Sequence, residues 1–186
     1  MTVAIAEKLM TAEEYCRLPD NGQPTELVRG KVVPVNMPRP RHGQLCARVV
    51  YLLQRHLDDH PLGHVLSNDS GVPTEHDPDT VRGADIAFYS YARVPAGPLP
   101  SRGLLPVPPE VVFEVRSPFD RWPAILTKVA EYLTAGVGIV CVLDDATEAV
   151  HVFTADDPVR VLTAEQTLTL PGVLPEFQMV VRRFFA

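Results

Sequence analysis

Two short β-prone runs that each contain one acidic residue constrain the fold of this chain most strongly. They span residues 84–89, which include Asp85, and residues 111–116, which include Glu114. Because side chains alternate between the two faces of a strand, Glu114 and Arg116 share one face of the second run. A buried carboxylate is costly unless it has a cation, a basic partner or a raised pKa. Any fold that buries both runs must therefore stabilise both acids in one of these ways.

The pattern around these runs predicts a sheet flanked by helices. Apolar residues recur at helical spacing over residues 42–60 and 122–135, and Thr11 precedes acidic residues that suit the first turn of a short helix. Two apolar stretches around Gly30 predict a hairpin over residues 26–33. Further strands are expected at residues 65–66, 71–73, 138–143, 149–153, 167–170 and 179–181, with a turn at residues 68–69 and the last two as short edge strands.

Length and composition suit one folded domain over residues 1–186. Hydrophobic residues make up 46% of the chain and charged residues 22%, which is typical of globular proteins. No apolar run approaches the roughly 18 residues that a membrane span requires, and the first ten residues lack the basic start and apolar core of a leader. We therefore expect a cytoplasmic protein with no membrane partner.

The charge and the cysteines argue against two simple kinds of binding site. A formal net charge of -6 argues against a protein that holds nucleic acid by overall positive charge, so binding would depend on local charge. Cys16, Cys46 and Cys141 lie far apart and fit no zinc-ligand spacing. We interpret all three as buried, small apolar side chains.

A hard divalent cation would explain the two acids. Mg²⁺ prefers oxygen ligands and commonly takes one or two carboxylates, with water and substrate phosphate completing its shell. Asp85 and Glu114 are candidate ligands for Mg²⁺, or for Mn²⁺ in its place. Such an ion activates a water and offsets charge on a phosphodiester, and a nearby lysine ammonium suits the same task.

A cationic cluster precedes the first long predicted helix. Arg39, Arg41 and His42 lie at a proline-flanked helix start, where the helix dipole also favours anions. These side chains are candidates for binding a DNA phosphate. The alternatives are that His42 caps or packs at the helix start and that both arginines are ordinary surface charges.

The order of these residues resembles the PD-(D/E)XK nuclease pattern, with two departures. Ala84 stands where that pattern has proline, and Arg116 stands where it has lysine. The chain more closely resembles the Uma-type putative restriction endonuclease family, in which the lysine has moved to the following helix, where this sequence has Lys128. The segments that carry this likeness are Glu26–Val28, Gly30–Val33, Arg41–Gly43, Ala84–Phe88, Glu114–Pro118 and Lys128–Val137.

The resemblance implies a fold and a site. The fold is α/β, a restriction-endonuclease-like core whose mixed central β-sheet is flanked by helices, with an extra N-terminal hairpin and C-terminal strands. Asp85, Glu114 and the carbonyl of Val115 would bind the metal, Lys128 would position water, and Glu26 would be an accessory acid.

The implied activity is Mg²⁺-dependent endonucleolytic hydrolysis of DNA. Tyr132, one helical turn after Lys128, and Arg116 are candidate accessory residues. Many nucleases of this fold cut both strands as dimers, so we expect a homodimer, for which the apolar residues Phe184 and Phe185 and the edge strands are candidate contacts. A catalytically silent relative that binds nucleic acid or a protein partner is the main alternative, and a hydrolase of small phosphoesters is a third.

Each acid and the lysine also have a structural interpretation. Asp85 can be a hydrogen-bonded carboxylate at a strand end, and Glu114 can pair with Arg116. Lys128 can be a solvated helix residue that pairs with Glu131.

Overall fold

A computed structural model describes residues 8–19, 21–117 and 120–186. Pro118, the last residue of one segment used in the resemblance, lies outside this range, as do residues 1–7 of the N-terminal segment considered above. The described helices are α1 (Ala12–Cys16), α2 (Pro40–Asp59), α3 (Trp122–Thr134) and α4 (Arg182–Phe185). The described strands are β1 (Thr25–Val28), β2 (Lys31–Pro34), β3 (Gly63–Glu75), β4 (Thr80–Ser90), β5 (Val111–Arg116), β6 (Ile139–Asp144), β7 (Ala149–Phe153), β8 (Arg160–Leu162), β9 (Thr167–Leu170) and β10 (Leu174–Val180).

The central sheet is mixed and places β4 and β5 at its middle. Its strand order is β2-β1-β4-β5-β6-β7-β8, with β3 paired to β4. Strands β5 and β6 run parallel, joined through α3, and the other neighbours in this sheet are antiparallel. The predicted fold class is confirmed, including the N-terminal hairpin of β1 and β2.

One edge of strand β4 is paired with two different strands, one at each end. β3 pairs along β4 from Thr80 to Ser90, which occupies one edge. On the opposite edge β1 pairs only at Val81, and β5 pairs only from Ile86 to Phe88. Residues 82–85 therefore lie in a gap between β1 and β5. This gap leaves space beside Asp85 within an otherwise continuous sheet.

The two faces of the sheet carry separate apolar cores, as the alternation in β5 predicts. Val111, Phe113 and Val115 pack with the apolar stripe of α2 and with α4, β9 and β10. Val112 packs on the other face, where α3 contributes Tyr132 and other apolar side chains. Glu114 and Arg116 belong by alternation to the α3 face.

The long helices form where local signals and an apolar stripe coincide. Pro40 occupies the first turn of α2, and Leu45, Val49 and Leu52 are among its buried residues. α3 likewise has a proline in its first turn, and Gly136, with φ +95°, follows its end. No helix in the described part of the chain is long and apolar enough to cross a membrane.

The structure corrects three expectations. Residues 65–66 and 71–73 are not separate short strands but parts of β3, which accommodates Asn68 and Asp69 at positive φ in a bulge instead of a turn.

Cys16 is exposed and Cys46 is only partly buried, so the interpretation of all three cysteines as core residues holds for Cys141 alone. Phe184 and Phe185 are buried in the α2-side core, which leaves them unavailable for self-association.

Candidate active site

The gap between β1 and β5 is lined by side chains that replace missing backbone pairs. The Asp85 Oδ2 accepts the Val115 N–H at 2.6 Å, just beyond the last β4–β5 backbone pair. The Glu26 Oε1 accepts the Gly83 N–H at 3.1 Å, and the Tyr132 hydroxyl oxygen lies 3.3 Å from the Gly83 carbonyl. Acidic side chains therefore satisfy the open strand edge, which fixes their positions.

Asp85 is buried and has a second contact on the opposite side. Its residue exposure is 7%, and its Oδ1 lies 3.1 Å from Nε2 of His42, at the start of α2. This hydrogen bond to Asp85, with a further one to the sulfur of Cys46, raises the pKa of His42 well above its ordinary value. The proposed alternative for Asp85, a hydrogen-bonded strand-end carboxylate, thus describes its backbone contact but not its approach to His42.

Glu114 is a buried acid with few partners. It is 4% exposed, and its Oε1 accepts the Tyr132 hydroxyl at 2.9 Å. Nζ of Lys128 lies 3.9 Å from Oε2, at the limit of an ion pair. Burial raises the pKa of Glu114 to about 8, against the opposing effect of Lys128 and with a further upward contribution from Asp85. Glu114 does not pair with Arg116, which contacts Asp144 at 2.6 Å.

Lys128 and Glu26 form the second half of this cluster. Nζ of Lys128 lies 2.8 Å from Oε1 of Glu26, while Arg82 donates to Oε2 of the same carboxylate at 2.7 Å. Glu131, the alternative partner considered for Lys128, pairs with Arg82 instead. Burial lowers the pKa of Lys128, but Glu114 and Glu26 together raise it above its ordinary value, so the lysine is an ammonium at neutral pH.

A cavity of about 1040 Å³ opens onto this cluster. Glu26, Asp85, Glu114, Val115 and Lys128 line it, although they come from three strands and a helix. Tyr132 contacts Glu114 beneath this lining. The fold therefore brings together residues that lie as far apart in the sequence as Glu26 and Lys128.

The predicted cationic cluster divides between the cavity and the surface beside it. Arg39 and His42 line the cavity. Arg41 instead lies against Asp145 at 3.0 Å and donates to the Phe185 carbonyl at 3.0 Å. Its guanidinium therefore connects the start of α2 to Asp145, just after β6, and to α4.

Three residues near the site were not identified from the sequence. Arg82 joins Glu26 to Glu131, and it stands only three residues before Asp85 on the same strand. Asp69 lines the cavity. Burial raises the pKa of Asp69, and the negative charge of Asp85 makes a smaller upward contribution. Cys46 lies near His42 and Asp85. The spacing of His42 and Cys46, four residues apart on a predicted helix, was the available signal for the third.

The donor set at the Glu114 end of the cavity fits a hard divalent ion. It offers carboxylate oxygens from Asp85 and Glu114 beside Val115, and oxygen is the ligand type that Mg²⁺ prefers. Glu26 is less suited to direct coordination, because both of its oxygens already accept from Gly83, Lys128 and Arg82.

One solved structure shows which fold this chain is similar to. The crystal structure of a putative nuclease belonging to DUF820 from Anabaena variabilis superposes with a TM-score of 0.80, covering 95% of this chain and 97% of that one. The two sequences are 16% identical, so this likeness establishes the restriction-endonuclease-like fold alone. A search of curated proteins finds no match.

A family model gives the more specific result and supports a nuclease function. The model for Uma2, described as "Putative restriction endonuclease", matches residues 12–182, which is most of the chain and includes every candidate site residue. The chain therefore belongs to the Uma2 family of putative restriction endonucleases.

Proposed function

We propose that this protein is a Mg²⁺-dependent endonuclease that hydrolyses DNA phosphodiester bonds, with Mn²⁺ able to replace Mg²⁺. The observation that carries this proposal is the convergence of Asp85, Glu114 and Lys128 on the wall of one cavity. Two buried carboxylates beside an ammonium form an arrangement that suits a metal ion and a phosphate together. Membership of the Uma2 family supports the nuclease class.

Asp85 and Glu114 would hold the ion, with the carbonyl of Val115 as a further oxygen ligand. An ion held there would lower the pKa of a bound water and offset charge on the reacting phosphate. The Val115 N–H fixes the Asp85 carboxylate, and the Tyr132 hydroxyl fixes that of Glu114. Both ligands are therefore oriented before substrate arrives.

Lys128 would orient the attacking water and stabilise negative charge. As an ammonium it donates hydrogen bonds and does not accept the proton of the water. Glu26 holds Nζ of Lys128 at 2.8 Å and is itself held by Arg82, so we assign Glu26 a positioning role. Arg116 pairs with Asp144, so its proposed role is limited to stabilising the sheet around the site.

DNA would enter by the side of the cavity that carries positive charge. Arg39, His42 and Arg121 line the same cavity as the acidic residues. Their charge allows local binding of phosphate in a chain whose net charge is -6. Arg41 is engaged with Asp145 and would contribute by holding the start of α2.

We also propose a single domain, a cytoplasmic location and a homodimer. One sheet contributes to both apolar cores, which supports a single folding unit. The homodimer proposal rests on the need to cut both strands, and the mass measured by light scattering, with and without DNA, tests it.

Cleavage of supercoiled plasmid tests the proposed activity. The wild type should nick and linearise DNA with Mg²⁺ or Mn²⁺, and not with a chelator. Asp85→Asn and Glu114→Gln should each lower the rate by about 10³-fold or more, because each removes a charged oxygen ligand. Asp156→Asn, at an exposed carboxylate outside the cavity, is the matched control.

Two results would reject this assignment. Undiminished cleavage by both ligand variants would place the active site elsewhere. DNA binding by the wild type without cleavage under any divalent ion would favour a catalytically silent binding protein.

A further inference from the structure

A second set of candidate metal ligands includes Asp85 but not Glu114. His42, Cys46 and Asp85 each offer one ligand atom, and these three atoms lie within 4.8 Å of one another. His42 and Cys46 are four residues apart on α2, so they project from the same side of the helix. Cys46 has no role in the hydrolysis proposed above.

The two elements that carry these residues hold them in place. α2 is 20 residues long, and Leu45 and Val49, which flank Cys46 along the helix, are buried in the core. β4 holds Asp85, whose Oδ2 is fixed by the Val115 N–H. The remaining oxygen, Oδ1, is the one that faces His42 at 3.1 Å. The cluster therefore consists of side chains on a rigid helix and a rigid strand.

The separations suit a tetrahedral ion. Ligand atoms bonded to zinc at about 2.0–2.3 Å lie about 3.3–3.8 Å apart in a tetrahedron. The three atoms here span from 3.1 Å between His42 and Asp85 up to a limit of 4.8 Å. Since the limit of 4.8 Å exceeds the tetrahedral separation by only about 1 Å, small side-chain rotations would bring the three atoms into bonding positions.

The donor chemistry differs from that of the Glu114 end. A cysteine thiolate and an imidazole favour borderline transition metals such as Zn²⁺ and Co²⁺, whereas Mg²⁺ prefers oxygen alone. Sites with three protein ligands keep a fourth position for water. Because His42 and Asp85 both line the cavity, that position would be open to it.

We propose that His42, Cys46 and Asp85 form a second cation site, selective for zinc-class divalent ions. On binding, the imidazole and the thiol each bond to the ion through a lone pair and release any proton from that atom to solvent, and no electron is transferred. Asp85 belongs to both sites. If the proposed nuclease site is correct, an ion on His42 and Cys46 competes for Asp85 and weakens Mg²⁺ binding.

Cobalt spectroscopy on the full chain, freed of metal by a chelator, tests the site independently of cleavage. Co²⁺ should produce the near-ultraviolet thiolate-to-cobalt charge-transfer absorption at one equivalent. Cys46→Ser and Cys46→Ala should both abolish it. Cys16→Ser removes an exposed thiol and should leave the absorption intact. Zn²⁺ should displace Co²⁺, and its affinity, measured by calorimetry, should fall at least about a hundredfold in the Cys46 variants.

Glu114→Gln separates this site from the proposed nuclease site. The cobalt–thiolate absorption should survive in this variant even when its cleavage is lost. No absorption in the wild type, or an absorption that persists in folded Cys46 variants, would overturn the second site. Loss of the absorption in Glu114→Gln would show that Glu114 is a ligand of the same ion, which would also overturn it. Circular dichroism establishes that each variant is folded.

Discussion

Glu114 and Arg116 are two residues apart on β5 and share the face that α3 covers, yet their surroundings differ. Arg116 donates to Oδ1 of Asp144 at 2.6 Å, and its guanidinium lies 5.1 Å from the ring centre of Trp122. Asp144 also accepts from Ala146 at 3.1 Å and from Thr147 at 2.9 Å. This ion pair is closed on the side of the carboxylate, because protein donors occupy both of its oxygens, whereas Nε of Arg116 is buried without a hydrogen-bond partner among the described residues.

Glu114 lies in a more open cluster under the same helix. Tyr132 donates its hydrogen bond to one oxygen, and the nearest ammonium, that of Lys128, is 3.9 Å from the other. Lys128 is held more closely by Glu26, at 2.8 Å. Burial of the acid is thus only partly compensated.

The difference separates a structural ion pair from a candidate metal site. A buried carboxylate whose oxygens both accept from protein donors stabilises its own arrangement and has little capacity for a ligand. An incompletely paired buried carboxylate retains acceptor capacity that a cation can use. The four predictions below test this distinction.

Removing Asp144 should have the largest effect, and the effect should be on stability. Asp144→Ala leaves Arg116 buried without its carboxylate, which should lower the free energy of unfolding by about 3–5 kcal/mol. Urea unfolding at pH 7 measures this change. Asp145→Ala, one residue later and more exposed, is the control and should cost less. A change below about 1 kcal/mol for Asp144→Ala would mean that the pair is not closed.

Removing Lys128 should instead act mainly on cleavage. Lys128→Met keeps the apolar stem of the side chain and removes the ammonium, so the cleavage rate should fall by about 10²–10³-fold. Single-turnover cleavage under saturating Mg²⁺ measures the rate of the chemical step. Lys31→Met, on the exposed strand β2, controls for the loss of one positive charge. Equal losses of cleavage rate in both variants would mean that Lys128 contributes only through the overall charge of the protein.

The pH dependence of stability should identify Glu114. Because burial raises its folded pKa to about 8 from the ordinary 4.5, proton binding favours the folded state. The resulting stability is complete below pH 4.5 and is lost as pH rises through about 8. In chelator, Glu114→Gln should therefore become more stable relative to wild type over this window, by on the order of a few kcal/mol.

Adding Mg²⁺ provides the control for this measurement. At pH 8 the ion should stabilise the wild type, because it binds the folded state, and should have little effect on Glu114→Gln. Thermal melts from pH 5 to pH 9 with and without Mg²⁺ measure both effects. His42, whose pKa is also raised, is common to both proteins and cancels in their difference. Parallel pH profiles would show that Glu114 is ionised throughout.

Local pattern predicts much of this fold because β alternation and helix caps depend on neighbouring residues. The bounds of β5 and the face shared by Glu114 and Arg116 follow from residues 111–116 alone. The partners of Glu114 do not follow, since Lys128 and Tyr132 reach it only when α3 folds back over the sheet.

The gap in the edge of β4 is the feature that sequence pattern least reveals. It arises because β1 and β5 each pair with a different end of β4. Arg82 bridges Glu26 and Glu131 across this gap, through contacts 56 and 49 residues apart in sequence. Cys46 was judged by its spacing from other cysteines, whereas its neighbours in space are His42 and Asp85.

The smallest effect is expected from Arg116→Lys, which places a lysine where the PD-(D/E)XK pattern has one. Lysine keeps the charge beside Asp144 but loses the planar guanidinium that faces Trp122, so stability should fall by about 1 kcal/mol. Cleavage should stay within about twofold of wild type, since residue 116 is held away from the cavity by Asp144. The double variant with Lys128→Met should remain as inactive as Lys128→Met alone. Recovered cleavage in the double variant would show that an ammonium at position 116 can leave Asp144 and reach Glu114, and the two clusters would then be interchangeable rather than distinct.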